Sequence, residues 1–339
     1  MKILLISPTQ SGIGGIAQHV QGLTKFLKKK GYCVEITSSE NTFTIPIKGL
    51  KNPSFMISSF LKTKFNKDHD IVHAHNISSA LAMKNIKGKK ILSIHGIFSN
   101  QINDLHGKTL ASISSKYEKN ALKWADAITV ISKEAFDHYA NLGYNVFQVP
   151  NAIDTLSLET NVDKRYSKQI IFAGRLSHEK GIDSLISISQ KLTDDIHLII
   201  LGTGPEEQKI IDLAKNHNNI HFFGYQNKIQ TISLIRGSDI LIQPSLYEGI
   251  SSTILEAMAC KTAIIASDVG GNSELIENNL NGIIIKPDNV DSFVEQIMNL
   301  FDNEKLRQLL VDNALKTVEK YNWDEVGNLY LNIYESILD

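Results

Sequence analysis

Two successive series of short, uninterrupted apolar runs, separated by stretches with helical periodicity, constrain this chain more than any other feature. The first series lies at 2–7 (KILLIS), 33–37, 71–74, 91–94, 127–131 and 146–149. The second lies at 170–173 (IIFA), 197–201 (HLIIL), 220–223, 240–243, 263–266 and 283–285. A strand that alternates apolar and polar residues leaves one face wet, whereas a continuous apolar run needs cover on both faces. Segments such as 16–30, 109–124, 181–192, 206–217 and 290–302 read as the helices that give this cover. The pattern predicts an α/β chain of two Rossmann-like, doubly wound parallel-sheet domains. A length of 339 residues, more than one hydrophobic core ordinarily serves, agrees with two domains. The reading places an N-terminal domain over 1–160 and a C-terminal domain over 161–320, with the boundary in the polar, aperiodic segment 154–168. Apolar residues at 326, 329, 330, 333, 334 and 337 make a helical stripe in the last segment, 321–339.

The net charge of −1 conceals a division between the halves. Residues 1–150 carry nineteen lysines and no arginine against nine acids, whereas 151–339 carry sixteen basic residues against twenty-seven acids. A surplus of +10 directs the first half towards an anionic partner such as a membrane surface or a phosphorylated acceptor, with a solvated lysine surface as an equal alternative. Nucleic acid is not expected, because arginine and exposed aromatic residues are not gathered with the lysines. Ile57, Phe60, Leu61 and Phe65 interleave with Lys51, Lys62, Lys64 and Lys67, the pattern of an interfacial amphipathic helix that would contact an anionic membrane. No run approaches the length of a membrane span, and the apolar part of MKILLISPT is too short for a signal-peptide core. The two widely separated cysteines, Cys33 and Cys260, predict reduced thiols and a cytoplasmic protein, peripheral on the inner face of the membrane if the basic half docks there.

Three segments carry chemistry. Ser11-Gly12-Ile13-Gly14-Gly15-Ile16 follows the first strand and opens a helix, where glycines admit a ligand and free amides favour an anion. It fits G-x-G-x-x-A at Gly12, Gly14 and Ala17, with Glu35 and Glu40 downstream, so a nicotinamide dehydrogenase and a ligand-free turn both remain open here. Against a dinucleotide, four residues from Pro8 to Ser11 separate strand and glycine, where a dinucleotide turn is tighter. After the strand at 170–173, Gly174-Arg175-Leu176-Ser177-His178-Glu179-Lys180-Gly181 sets two cations in a glycine-bounded loop at a carboxyl strand end, where open sheets bind ligands. Arginine's planar fork and lysine's point charge suit a diphosphate; the plainer alternative is a surface pair with Lys180 bridged to Glu179.

The third segment runs from Glu248 through Gly249, Ile250, Ser251, Ser252, Thr253, Ile254 and Leu255 to Glu256. Ser251 is a good N-cap, so the amides of Ser252, Thr253 and Ile254 are expected to be unsatisfied at a helix start. Helical side chains lean back towards the N-terminus, which lets Glu256 and the loop residue Glu248 border one pocket. Carboxylates bind sugar and ribose hydroxyls; alternatively Glu256 is a first-turn acid favoured by the helix dipole and Glu248 a surface residue. A hydrolase with an acid and a base would straddle its bond, and both carboxylates here fall on one wall of one domain.

Together these residues resemble the retaining glycosyltransferases of family 4, with the fold called GT-B. The resemblance runs nearly the whole length, through Gly12, Gly14 and Gly15, Ser93-Ile94-His95-Gly96, Val149-Pro150-Asn151-Ala152-Ile153-Asp154, the loop 174–181, the E-x7-E pair Glu248 and Glu256, and Trp323 before the last helix. It implies two domains facing each other across a cleft, with the donor a UDP- or GDP-sugar. It implies that Arg175 and Lys180 neutralise the leaving diphosphate, Glu256 holds the ribose hydroxyls and Glu248 meets the donor sugar. Ser251, Ser252 and Thr253 join the donor site, Gly224 and Tyr225 border the base, Gly14 and Gly15 reach the diphosphate or sugar, and His95 lies near the sugar. His95, Arg175, Lys180 and Glu248 form the catalytic set. The final helix returns to the first domain. Many members have Phe or Leu and a Pro where this chain has Ile250, Ser251 and Ser252, and a Gly where it has Ala152.

The resemblance implies sugar transfer with retention to a hydroxyl of a glycan or lipid-linked acceptor, with no cofactor and no metal. His73 and His75, two residues apart on one strand, could pair at a metal, but no carboxylate or cysteine has matching spacing and a structural or acceptor-side role is favoured. The alternatives carried alongside are a sugar-nucleotide epimerase or phosphorylase on the same fold, a binding protein without turnover and, further off, the dehydrogenase.

Overall fold

The computed structural model describes residues 1–10, 15–47, 50–64, 68–95, 108–158 and 160–339, with the side chains of 108–115, 156 and 157 outside that description. The chain divides into two units, Met1–Ala152 with Trp323–Asp339, and Ile153–Asn322. The first boundary thus falls at Ala152, earlier than 160, and the segment after it forms a short 3-10 turn, Thr155–Leu158, before the next strand.

The first unit is built on β1 (Lys2–Ser7), β2 (Cys33–Ser38), β3 (Ile71–His75), β4 (Lys89–Ile94), β5 (Ala127–Val130) and β6 (Val146–Gln148). These pair in parallel in the order β2-β1-β3-β4-β5-β6. Continuous apolar runs serve both faces: Leu4, Ile6, Val72, Leu92 and Ile128 pack on one side, and Ile3, Leu5, Ile71, Ile91 and Ala127 on the other. The second face is covered by α1 (Gly15–Lys29) and the last helix (Trp323–Leu338), whose Val326, Tyr330, Tyr334 and Ile337 are buried there. The two helices approach through reciprocal glycines. A Cβ on Gly22 would lie 2.1 Å from the Trp323 ring, and one on Gly327 would lie 2.5 Å from that of Phe26.

The second unit holds β7 (Lys168–Ala173), β8 (Ile196–Leu201), β9 (Ile220–Gly224), β10 (Ile240–Gln243), β11 (Ala263–Ser267) and β12 (Ile283–Ile285), in the parallel order β12-β11-β10-β7-β8-β9. Its core joins Ile170, Phe172, Leu198, Ile200, Ile240, Ile242 and Ile265 to the apolar sides of flanking helices. In both sheets the strand order reverses once, between β1 and β3 and between β7 and β10. At such a reversal the loops leave in opposite directions and open a crevice at the carboxyl ends of the strands.

Candidate functional site

In the second unit the loops after β7 and β10 flank the reversal, and backbone contacts zip them together. The carbonyl of Glu179 accepts from the amides of Leu246 at 2.9 Å and Tyr247 at 3.3 Å. Gly181 has φ +68°, and a Cβ there would lie 1.8 Å from the Pro244 carbonyl oxygen, so the approach requires glycine twice over. Gly270 is held similarly, with φ +43° and a would-be Cβ 1.9 Å from the Glu248 carbonyl. The site backbone is therefore fixed by close packing of main chain on main chain.

Lys180 crosses between the two loops. Its Nζ donates to both carboxylate oxygens of Glu248 at 2.6 Å, and both side chains are largely buried. The expected alternative partner, Glu179, instead accepts from the Ser177 hydroxyl at 2.6 Å. Gln243, the last residue of β10, donates through its Nε2 to Glu248 and to Ser251 Oγ, while the Ser251 hydroxyl donates back to Gln243 Oε1 at 3.1 Å. Ser251 is the N-cap of a helix, Ser252–Ala259, and its Oγ accepts from the Ile254 amide at 3.4 Å. The expectation of three free amides is thus corrected to two: the cap consumes that of Ile254, and those of Ser252 and Thr253 have no partner among the described residues.

Glu256 is buried on the same helix and receives Lys228 Nζ. Lys228 opens the helix Lys228–Arg236, whose start is fixed by a capping box between Asn227 and Gln230. It follows Gly224, in the left-handed region at φ +63°, and the exposed Tyr225, so the strand end expected to border a base is tied to the second acid. Lys228 and Gln243 escaped sequence reading. A salt bridge across 28 residues leaves no local spacing, although a polar residue ending an apolar strand was a usable signal for Gln243. The Arg175 side chain is exposed and donates no hydrogen bond among the described residues, although its charge helps to hold the Glu179 carboxyl below its usual range. Nearby, burial and the charge of Glu256 push the Cys260 thiol up to about 12, which keeps it an inert core thiol.

In the first unit Gly15 is the exposed first residue of α1 with open space about it, while Gly12, Gly14 and Gly96 lie outside the described residues. His95 follows β4 and joins His19, His73 and His75 in a cluster of imidazoles. His75 Nδ1 lies 3.4 Å from His95 Nε2, the rings of His73 and His75 stack at 4.2 Å, and those of His19 and His95 meet edge-on at 5.1 Å. The last helix closes the cluster. Tyr334 OH lies 2.8 Å from His73 Nδ1 and Tyr330 OH lies 2.9 Å from His19 Nε2. With His73 Nε2 bonded to Ser93 Oγ at 2.6 Å, both nitrogens of that ring are engaged, which leaves none for a metal shared with His75. Among the described residues no group of three or more His, Cys, Asp or Glu has the geometry to hold a metal ion. Burial pushes His73 down to about 3, with help from His95, and His95 down to about 4; burial also drives His19 and His75 well below the usual imidazole range.

Comparison with known proteins bears on the family and the fold. Residues 13–156 match the model of Glycosyltransferase Family 4, and residues 159–317 match that of Glycosyl transferases group 1. The chain is 26% identical over 372 residues to an uncharacterised glycosyltransferase of Methanocaldococcus jannaschii, covering 96% of this chain and 95% of the other. It is 22% identical over 384 residues to a phosphatidyl-myo-inositol mannosyltransferase of Mycolicibacterium smegmatis, covering 99% and 94%. Among solved structures, sucrose-phosphate synthase from Thermosynechococcus elongatus shares the fold with a TM-score of 0.83 at 17% identity, covering 99% of both chains.

Proposed function

Because this chain belongs to the family 4 glycosyltransferases of GT-B fold, we propose that it moves a sugar from a nucleoside diphosphate sugar, a UDP- or GDP-sugar, to a hydroxyl of a glycan or lipid-linked acceptor, with retention and without a metal ion. The observation that carries this reading is the link from Lys180 through Glu248 and Gln243 to Ser251 across the strand-order reversal. It sets a cation, a carboxylate and two free helix amides side by side, the groups that a sugar diphosphate requires.

In this reading Arg175 and Lys180 meet the diphosphate with the amides of Ser252 and Thr253. Glu256 takes the ribose hydroxyls beside Gly224 and Tyr225, and Glu248 takes the sugar. Lys180 is held by Glu248 before the donor arrives; the phosphates then share the lysine and release a carboxylate oxygen to a sugar hydroxyl. His95, Gly14 and Gly15 are the proposed first-unit groups for the donor's sugar end. Catalysis rests on stabilising the charge of the leaving diphosphate more than on a strong protein nucleophile. The mannosyltransferase relative, named for a phosphatidyl-inositol acceptor, supports the lipid branch. That branch implies peripheral work at the inner face of an anionic membrane.

A thermal-shift panel of nucleotide sugars tests the donor, because a ligand that binds only the folded state raises the melting temperature by mass action. Anomeric analysis of the product from the donor that stabilises most tests transfer and retention. An inverted linkage would remove the retaining part, and an epimerised nucleotide sugar or a sugar phosphate as sole product would overturn transfer.

A further inference from the structure

We propose that residues 43–47 and 50–64 form a docking ridge for an anionic lipid bilayer, built on a helix that presents Ile57 and Leu61 outward. The helix, α2 (Lys51–Thr63), buries only Phe55, Ser59 and Thr63. Ser59 donates to the Phe55 carbonyl at 2.6 Å, and Thr63 donates to that of Ala82 at 2.9 Å. Two of its three inward positions are thus small hydroxyl residues that satisfy themselves on carbonyls. Its opposite stripe holds Leu50, Ile57 and Leu61, with Ile57 60% and Leu61 54% exposed. Burial drives apolar side chains inward, so a helix arranged this way places its apolar surface where a second apolar phase would meet it.

The irregular segment before the helix extends the ridge. The Ile45 amide donates to Ser54 Oγ at 2.9 Å, and the amides of Leu50 and Lys51 donate to the Ile47 carbonyl at 3.0 and 3.2 Å. These bonds hold Phe43 and Ile47, both exposed, beside the helix start. Lys62 Nζ donates to the carbonyl and to Oδ1 of Asn41, both at 2.8 Å, and pins the far end. Phe60, which the periodicity alone assigns to the apolar face, is half-buried, and Phe65 and Lys67 lie outside the described residues. The outward stripe is instead set by Leu50, Ile57 and Leu61.

Charge selects the occupant. Between Glu40 and Asp68 the sequence has five lysines, at 48, 51, 62, 64 and 67, and no acid. Lys51 and Lys64 are exposed at the two ends of the helix. A second copy of this surface would bring like charges together, whereas anionic headgroups match the lysines and the acyl boundary matches the ridge. Apolar insertion and a basic patch are the two signals that stable interfacial binding needs. The surface rests on the lipid branch of the reading proposed above and names what meets the membrane, but it takes no part in the transfer itself, so failed vesicle binding and failed sugar transfer are separate outcomes.

The test is co-sedimentation of the full chain with phosphatidylcholine vesicles and with vesicles containing about a third phosphatidylglycerol, at low and high salt. Binding to the anionic vesicles at low salt is expected, with little to neutral ones. Ile57→Ser with Leu61→Ser should weaken it about tenfold or more at unchanged melting temperature, since both residues are exposed. Lys51→Glu with Lys64→Glu should weaken it at least as far, at about fivefold for each lysine lost. Equal sedimentation of the variants, or no preference for anionic lipid, overturns the proposal. A concentration-dependent dimer that Ile57→Ser with Leu61→Ser dissolves would give the ridge to a second copy and overturn it as well.

Discussion

Lys180 Nζ lies 2.6 Å from both carboxylate oxygens of Glu248, a pair that joins the loops on either side of the strand-order reversal between β7 and β10. The pair does two things. It shields a nearly buried carboxylate from being left alone, and it holds a lysine where a diphosphate would be received. Lys180→Ala should therefore show two effects. Glu248 keeps Gln243 as a partner, so folding should weaken by only about 1–3 kcal/mol. Turnover should fall roughly 30- to 1000-fold, because the cation that meets the leaving charge is gone. Pairing it with Glu248→Gln in a double-mutant cycle reads the coupling directly. Additive effects on melting temperature would mean that the pair does not hold in solution.

Lys228 and Glu256 predict a different signature. Lys228 is assigned no donor contact and pairs with Glu256, the carboxylate assigned to the ribose. Lys228→Ala is expected to raise the donor KM by about tenfold while kcat changes little, and Lys228→Arg to restore most of the loss, since a ground-state contact that persists in the transition state moves KM alone. Glu256→Gln should lower kcat/KM at least tenfold, about 1.4 kcal/mol. A uniform fall in kcat for Lys228→Ala would place the lysine on the reacting end instead.

Gly181 tests the backbone on which the site depends. An alanine there would have to keep φ near +68° with its Cβ 1.8 Å from the Pro244 carbonyl oxygen. The left-handed conformation alone destabilises a non-glycine residue by about 1–2 kcal/mol, and the close approach adds to it. Gly181→Ala should lower the melting temperature by several degrees and disturb Lys180, its neighbour. Gly15→Ala, with open space around it, should leave the melting temperature nearly unchanged. Equal effects of the two substitutions would contradict the close packing of these loops.

The parallel architecture was legible in the sequence because continuous apolar runs such as KILLIS and HLIIL admit no half-wet strand, and the final helix because its stripe recurs every three to four residues. Glu248 and Glu256 stood out because a capping serine between them marks a helix start. Lys228 did not, because an ion pair between elements is set by how they cross and leaves no trace in spacing. The outward stripe of α2 was only half read for a related reason. Periodicity shows that a helix has an apolar side but does not tell which side faces the core, and Ser59 and Thr63 took the inward places.

The four imidazoles of the first unit predict acid sensitivity. Burial holds His73 near 3 and His95 near 4, and His19 and His75 are depressed as well. Facing them are His19, His73, His75 and His95 themselves, the hydroxyls of Ser93, Tyr330 and Tyr334 and the ring of Trp323, none of which supplies a negative charge. Each ring binds its proton more weakly when folded than when unfolded. The unfolded chain therefore takes up protons first as pH drops below about 6.5. This stability is present in full above that pH and is lost as pH falls towards the folded values. Each histidine contributes a slope of up to about 1.4 kcal/mol per pH unit. The melting temperature should drop steeply between about pH 6.5 and 5, and His75→Gln should flatten the drop. A melting temperature that holds constant over that range would contradict the neutral cluster.

Transfer is expected to proceed without a divalent metal. As the glycosidic bond breaks, the departing nucleoside diphosphate gains negative charge, which either a metal ion or protein groups must meet. On the protein side stand the exposed Arg175, Lys180 beside Glu248, and the amides of Ser252 and Thr253. Among these groups Lys180 is the best placed, since partial burial strengthens its field. Initial rates with excess chelator should match those without it, and Lys180→Ala should stay slow whether or not magnesium is added. Arg175→Ala should slow turnover while leaving the melting temperature nearly unchanged, because an exposed arginine that meets Glu179 only through its charge contributes little to folding. Loss of wild-type activity in chelator, with recovery on adding magnesium or manganese, would show that a metal carries the charge and that the cations serve another purpose.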